Sequence, residues 1–330
     1  MQSRHHPRCG GTDVFEAQGQ HGPTLPAAGA RAPGKMEGMR HAFVCGYSRS
    51  GTTLLATILD SHPAISMGYE LVPAGLPALS AAAEQLRRAI AADPADPAAV
   101  LRRDPATAEL GLFVIHSGWA LVDPEELAGL LEAEAAAGRG DTRRTRRAAG
   151  LAMAVVERKR EKEGAALSGF KVQTSRFGTF RRRFPDAAFL AIVRDPRDVV
   201  ASQQGRGFQR SVERMATYWR DYYARFGRFA RLHPGRTLVV RYEDLVGDPE
   251  PQYARIFGIL GLPYGDEVRR YWESKASIHH TRHNNAPAVG REPFTTSLGR
   301  WRRDLEAADL ATVERVCRRA MARYVYPAAS

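Results

Sequence analysis

Short apolar runs alternate with helix-period segments over most of the chain. Ala42 to Cys45 is an unbroken apolar run of strand character. Leu54, Leu55, Ile58 and Leu59 follow at helical spacing. Residues 64–73 read as a short extended segment and a turn. Leu167–Val172, Ala188–Val193 and Thr237–Arg241 read as further strands. Helices are expected at Arg176–Phe184, through Ser202, at Val212–Leu232, at Pro249–Leu260 before Gly261, and at about Leu305–Tyr324. Alternating strands and helices predict an α/β fold with three layers, a mainly parallel sheet covered by helices on both faces. Ligands of such sheets bind beyond the carboxyl ends of the strands.

Residues 76–165 differ in character. They are rich in Ala, Arg and Glu, and Asp-Pro steps at Asp93, Asp96, Asp104 and Asp123 punctuate them into several helices. Their placement predicts a helical insertion that caps an acceptor pocket. The first forty residues are rich in Gly, Pro, Ala and His, with no apolar periodicity. Residues 1–39 are expected to be a disordered extension ahead of a domain spanning 40–330, with Met36 or Met39 as candidate starts. No run of about 18 apolar residues is present, so no membrane span is expected.

Two loops carry the candidate chemistry. Gly46-Tyr47-Ser48-Arg49-Ser50-Gly51-Thr52-Thr53 joins the first strand to the first helix. Strand, glycine-containing loop and helix is the arrangement that aims N–H groups and a helix N-terminus at an anion. The P-loop template places a lysine where this chain has Thr52, and the loop's cation is instead Arg49. The second loop is Arg194-Asp195-Pro196-Arg197-Asp198, with Pro196 suited to a first helical turn. Ser202 lies about two turns beyond Arg194 and Arg206 one turn further, which makes a second anion site.

In this order the two loops resemble those of the sulfotransferases that use 3′-phosphoadenosine 5′-phosphosulfate (PAPS). The arginine in the first loop is most similar to the tyrosylprotein sulfotransferases and their bacterial relatives. The likeness continues through Leu59-Asp60-Ser61-His62-Pro63, Arg241-Tyr242-Glu243-Asp244-Leu245 and Leu298-Gly299-Arg300-Trp301. It implies a P-loop-like fold and transfer of a sulfonate from PAPS to a hydroxyl by in-line displacement, leaving 3′,5′-ADP and requiring no metal. Ser48, Arg49, Ser50, Gly51, Thr52 and Thr53 would hold the 5′-phosphosulfate. Arg194, Ser202 and Arg206 would hold the 3′-phosphate, with Tyr242, Arg300 and Trp301 also against the nucleotide. Glu70, 21 residues after Arg49, stands where those relatives carry a glutamate base. Lys171 and Ser297 complete the expected catalytic set, and His62 and His116 are the alternative bases.

Charge and cysteine usage narrow the field. A net charge of +12 suits anionic ligands. The clusters around Arg143–Arg147 and Arg181–Arg183 lie in helical segments with few aromatics, which favours solvated faces over nucleic-acid binding. His279, His280 and His283 lack partner cysteines or carboxylates and read as a polar loop rather than a metal site. Cys9, Cys45 and Cys317 share no metal-like spacing; buried thiols and a cytoplasmic setting are the simplest expectation. The competing readings are a P-loop NTPase and a polyanion-binding protein. A small phenol, a carbohydrate, a lipid and a peptide tyrosine all remain open as acceptor, and oligomeric state is not legible.

Overall fold

The computed structural model describes residues 38–71, 75–137, 144–172, 174–273 and 297–329. Most of the expected N-terminal extension and the His279–His283 loop lie outside these residues. The described part is built on one five-stranded parallel sheet: β1 (His41–Cys45), β2 (Ile65–Gly68), β3 (Leu167–Val172), β4 (Ala188–Val193) and β5 (Thr237–Arg241). The order across the sheet is β2-β3-β1-β4-β5. Every residue of β3 and β4 is buried, which explains the unbroken apolar run of β4, while β3 also buries Ser168 and Lys171. Phe43, Phe170, Phe189 and Val193 face one core. Ala42, Val44, Leu190 and Ile192 face the other.

Helix α1 (Thr52–Ser61) leaves β1 on one face of the sheet. Helices α8 (Pro196–Gln204) and α9 (Val212–Leu232) leave β4 on the opposite face. β1 and β4 are neighbours in register, Cys45 beside Ala191. The loops that leave them therefore part to opposite sides, and a crevice opens at that switch point.

The segment between β2 and β3 forms five helices: α2 (Leu79–Ala92), α3 (Pro97–Arg102), α4 (Ala108–Trp119), α5 (Pro124–Ala136) and α6 (Arg144–Glu163). Two Asp-Pro steps act as helix starts. Asp96 accepts the Ala99 N–H at 2.9 Å, and Asp123 forms a reciprocal capping box with Glu126. Helix α6 packs on β2 and β3 as the crossover between them. Among the described residues, none of α2–α6 lines the central cavity. A parallel β2–β3 pair needs a covering crossover, and the inserted helices pack with it on the β2 side of the sheet.

One buried ion pair fixes that crossover. Lys159 of α6 meets Asp60 of α1 at 2.7 Å, and both side chains are fully buried. Asp60 also accepts the Met67 N–H of β2 at 2.7 Å, and Lys159 reaches Glu163 at 3.2 Å. Thus Asp60 binds the edge strand, the first helix and the crossover helix together. Among the described residues no helix is long and apolar enough to cross a membrane.

Removing one partner leaves the other charge buried. Lys159→Met should cost about 3–5 kcal/mol of unfolding free energy. Adding Asp60→Asn should recover part of that loss, because the amide oxygen can still accept the Met67 N–H. Urea denaturation of both variants checks this. A loss under about 1 kcal/mol for the single variant would show that the pair is not what secures α6.

Candidate active site

The loop after β1 is shaped by backbone constraints. Gly51 caps α1 with φ +96°, and a Cβ there would lie 2.5 Å from Cδ2 of Tyr242. Glycine is the residue that meets both demands. Two tyrosines of α9 reach across to the same loop. The Tyr222 hydroxyl accepts the Gly46 N–H at 2.8 Å, and the Tyr223 hydroxyl accepts the Tyr47 N–H at 3.2 Å. Tyr223 also donates to the Ile192 carbonyl at 2.7 Å and lies 3.0 Å from the Ser50 hydroxyl. Ser50 is fully buried, so its side chain faces this support rather than the cavity.

A cavity of about 880 Å³ opens above the loop. Ser48, Arg49, Gly51, Thr52 and Thr53 form one wall, and Arg194, Ser202, Arg206 and Arg300 form another. The two anion loops thus share one space. Arg49 donates from Nε to the Ser202 hydroxyl at 3.1 Å, which links them directly. Burial lowers the pKa of Arg49, and Arg206, Arg194 and Arg300 lower it further. A guanidinium remains charged under such a shift. Burial is the larger cause, and the three arginines add a positive field around the same side chain. The Nε of Arg194 is buried without a hydrogen-bond partner, an orphaned donor at the second loop.

Arg194 is held in place from several sides. It stacks 4.5 Å from the Tyr242 ring centroid, donates to the Ser297 carbonyl and lies 3.5 Å from Asp198. Asp198 accepts the N–H groups of Gly299 and Trp301 at 2.9 and 3.0 Å. The segment from Ser297 to Trp301 is thereby tied to α8. Trp301 lies between Arg197 and Arg302, at 4.3 and 4.4 Å, and does not line the cavity. The Ser297 and Tyr242 hydroxyls are 2.9 Å apart, and both residues line it.

A second group gathers at the ends of β2 and β3. Lys171 donates to Thr53 at 3.0 Å and also donates to the Glu70 carboxylate. Lys171 is 7% exposed and Glu70 26%, so the carboxylate is the more accessible partner. Arg49 and Glu70 both adopt left-handed backbone conformations, with φ +71° and +57°. Such angles are uncommon for side chains other than Gly and Asn, and they concentrate at functional sites. The two alternative bases stand elsewhere. Both ring nitrogens of His62 engage backbone groups, of Pro263 at 2.8 Å and Ala64 at 3.0 Å, and its ring stacks on Phe257. His116 sits beside Trp119 on α4, and neither histidine lines the cavity.

Thr174, Ser175, Tyr218, Asp221, Tyr222 and Arg225 also line the cavity and were not expected. Four of them recur on α9 at positions 218, 221, 222 and 225. That spacing of three and four is one helix face. The aromatic-rich sequence of α9 held the signal, but nothing in it said which loop the face would meet.

Residues 42–266 match the model of the sulfotransferase family. A Caenorhabditis elegans sequence named as a candidate protein-tyrosine sulfotransferase is 31% identical over 99 residues, covering 28% of this chain and 38% of that protein. Carbohydrate sulfotransferase 1 of Homo sapiens is 25% identical over 167 residues, covering 43% of this chain and 39% of that protein. The chain therefore spans less than two fifths of either relative's length. The sulfotransferase domain of the olefin synthase of Synechococcus PCC 7002 superposes with a TM-score of 0.61 at 19% identity, over 87% of this chain and 97% of that one. At that identity the likeness is one of fold.

Gly51→Ala tests the shape of the loop. The added methyl meets the Tyr242 ring edge, and φ +96° is strained for alanine. Stability should fall by about 1 kcal/mol or more. Protection by added sulfate or pyrophosphate against thermal unfolding should be lost as well. Wild-type protection in the variant would mean that this backbone conformation is not needed for anion binding.

Proposed function

The chain belongs to the sulfotransferase family, and we propose that it transfers a sulfonate from PAPS to a hydroxyl acceptor, with Glu70 as general base. The observation that carries the reading is the positive field around Arg49, made by arginines of three separate segments around one cavity. That field suits a ligand with two separated anionic groups. The orphaned Arg194 Nε and the close backbone approach at Gly51 supply donors at both ends. PAPS supplies a sulfonate whose bond to the bridging phosphate oxygen breaks as the acceptor oxygen bonds to sulfur, leaving 3′,5′-ADP.

The chain's own residues do the rest. Arg49 and the N–H groups of the first loop neutralise the 5′ side, where charge builds on the leaving oxygen. Arg194, Ser202 and Arg206 hold the 3′ side and fix the register of the donor. Glu70 takes the acceptor's proton. Once protonated it pairs less strongly with Lys171, whose ammonium is then freed to offset charge beside Thr53. This coupling moves positive charge toward the leaving side as the acceptor loses its proton. Fixed cations carry the role that a divalent metal has in kinases. Cys45 and Cys317 are free and buried, in keeping with a reducing, cytoplasmic setting. Thr52 in place of the P-loop lysine weighs against an NTPase.

Binding to 3′,5′-ADP, competed by PAPS and not by ATP, tests the donor. Equal competition by ATP would overturn it. For the base, Glu70→Gln should leave 3′,5′-ADP affinity near wild type. It should lower single-turnover transfer to an accepted alcohol by about 10² to 10⁴. The loss should shrink for an acidic phenol, which ionises unaided. Equal small losses on both acceptors would remove Glu70 from the role.

A further inference from the structure

The second anion loop is held from behind by a residue that touches no ligand-facing surface. Glu243 opens the helix that follows β5, in Tyr242–Gly247, and does not line the cavity. One carboxylate oxygen accepts the Asp195 N–H at 2.9 Å, and the other accepts the Tyr326 hydroxyl at 2.9 Å. Asp195 directly follows Arg194, so this bond fixes the peptide that aims the arginine. Asp195 in turn grips Arg197 at 2.7 Å, and Arg197 reaches Glu314 at 2.8 Å. The same Glu314 oxygen accepts the Ala329 N–H at 2.7 Å. Two points of the C-terminal tail, Tyr326 and Ala329, therefore converge on the loop that carries Arg194.

The tail is bent into this position at a local cost. The helix Ala307–Arg323 ends with Val325 at φ +59° and the Tyr326 N–H bonded to the Met321 carbonyl at 2.9 Å. This is a Schellman turn, whose left-handed position usually holds glycine. A β-branched residue there is a genuine outlier. The bend points the Tyr326 ring inward, where it is nearly fully buried and Arg241 stacks on it at 4.8 Å.

We propose that Glu243 is a positioning residue for the second anion loop and that, through Tyr326, the C-terminal tail is a working part of the nucleotide site. This rests on the PAPS reading above. Both contacts of Glu243 are donors, so the carboxylate satisfies them best. The groups that face it are Asp195 from the β4–α8 loop, Arg241 from the end of β5, Tyr223 from α9 and Tyr326 from the tail. Arg241 pairs with Asp244 at 3.2 Å. Burial pushes the Glu243 carboxyl up to about 7, against the hydrogen bonds from the Asp195 N–H and Tyr326 that favour the carboxylate. Raised from the ordinary glutamate value, the group releases its proton only as pH rises through neutrality, and the bridging form appears there.

The experiment compares 3′,5′-ADP with 5′-AMP, which lacks the 3′-phosphate, by calorimetry on the full chain. Glu243→Gln presents an amide N–H₂ to one of the two donors. It should weaken 3′,5′-ADP by about tenfold or more and leave 5′-AMP within about twofold. Tyr326→Phe keeps the ring and should give a smaller loss of the same selectivity, about two- to fivefold. It keeps the test open should Glu243→Gln fold poorly. The wild-type advantage over Glu243→Gln should widen between about pH 6 and about pH 8, since glutamine mimics the protonated acid. Equal losses for both ligands, no loss for either, or a ratio flat with pH would each overturn the proposal. A wild type without preference for 3′,5′-ADP would instead overturn the PAPS reading, and this inference with it.

Discussion

Like charges gathered in one cleft set the terms for the rest of the fold. Arg49 lies in the fields of Arg194, Arg206 and Arg300, and burial adds to their effect. Such a cluster tends to drive its members apart or out into water, where each is better solvated. The sheet resists this by fixing the strand ends. Arg194 follows directly on β4, whose residues are all buried. Arg49 sits on a loop pinned by two buried tyrosine hydroxyls. The carboxylates nearby, Asp195 and Asp198, are engaged by backbone N–H groups, Arg197 and Arg194, so they brace the loop more than they cancel the field. Excess positive charge is left facing the cavity, a field that suits a polyanion.

What was legible in the sequence follows from how local each signal is. Strand β4 could be read to the residue because it is an apolar run buried on both faces, and β3 and β5 because short strand-period segments there are bounded by turn residues or the start of a helix. The two loops were legible because an anion site built on one strand–loop–helix has fixed spacing. β2 was read only as an extended segment; its four residues owe their place to Asp60 and the crossover helix. The roles of Tyr222 and Tyr223 were not legible. Their hydroxyls serve Gly46 and Tyr47, 176 positions away, and no periodicity records a partner at that distance. The same holds for Lys159, which by sequence is one charge in a run of charges on α6.

Trp301 shows the opposite case, a motif residue whose neighbourhood differs from the one its motif implies. Its ring lies between two guanidiniums behind the cavity wall. From there it fixes the segment that carries Ser297 and Arg300, both of which do line the cavity. Motif membership marks a segment that reaches the cavity but does not distinguish the side chain that lines it from the one that holds the segment still. Ser50 divides from Ser48 and Thr52 in the same way, since its hydroxyl lies against Tyr223.

The Glu70–Lys171 pair and the arginine cluster are linked through one side chain. Lys171 ends near both Glu70 and Thr53, so its charge is shared between the carboxylate and the loop after β1. A proton arriving on Glu70 weakens one of these contacts and strengthens the demand for the other. The backbone of Glu70 is itself held in a left-handed turn, which places its carboxylate at the end of β2 rather than along the sheet edge. Edge strand, insertion and site are therefore connected in sequence. Asp60 and Lys159 secure β2 against α1 and α6, β2 delivers Glu70, and Glu70 meets Lys171 from the neighbouring strand. Among the described residues the inserted helices thus bear on the site without lining the cavity, by fixing the strand that leads to Glu70.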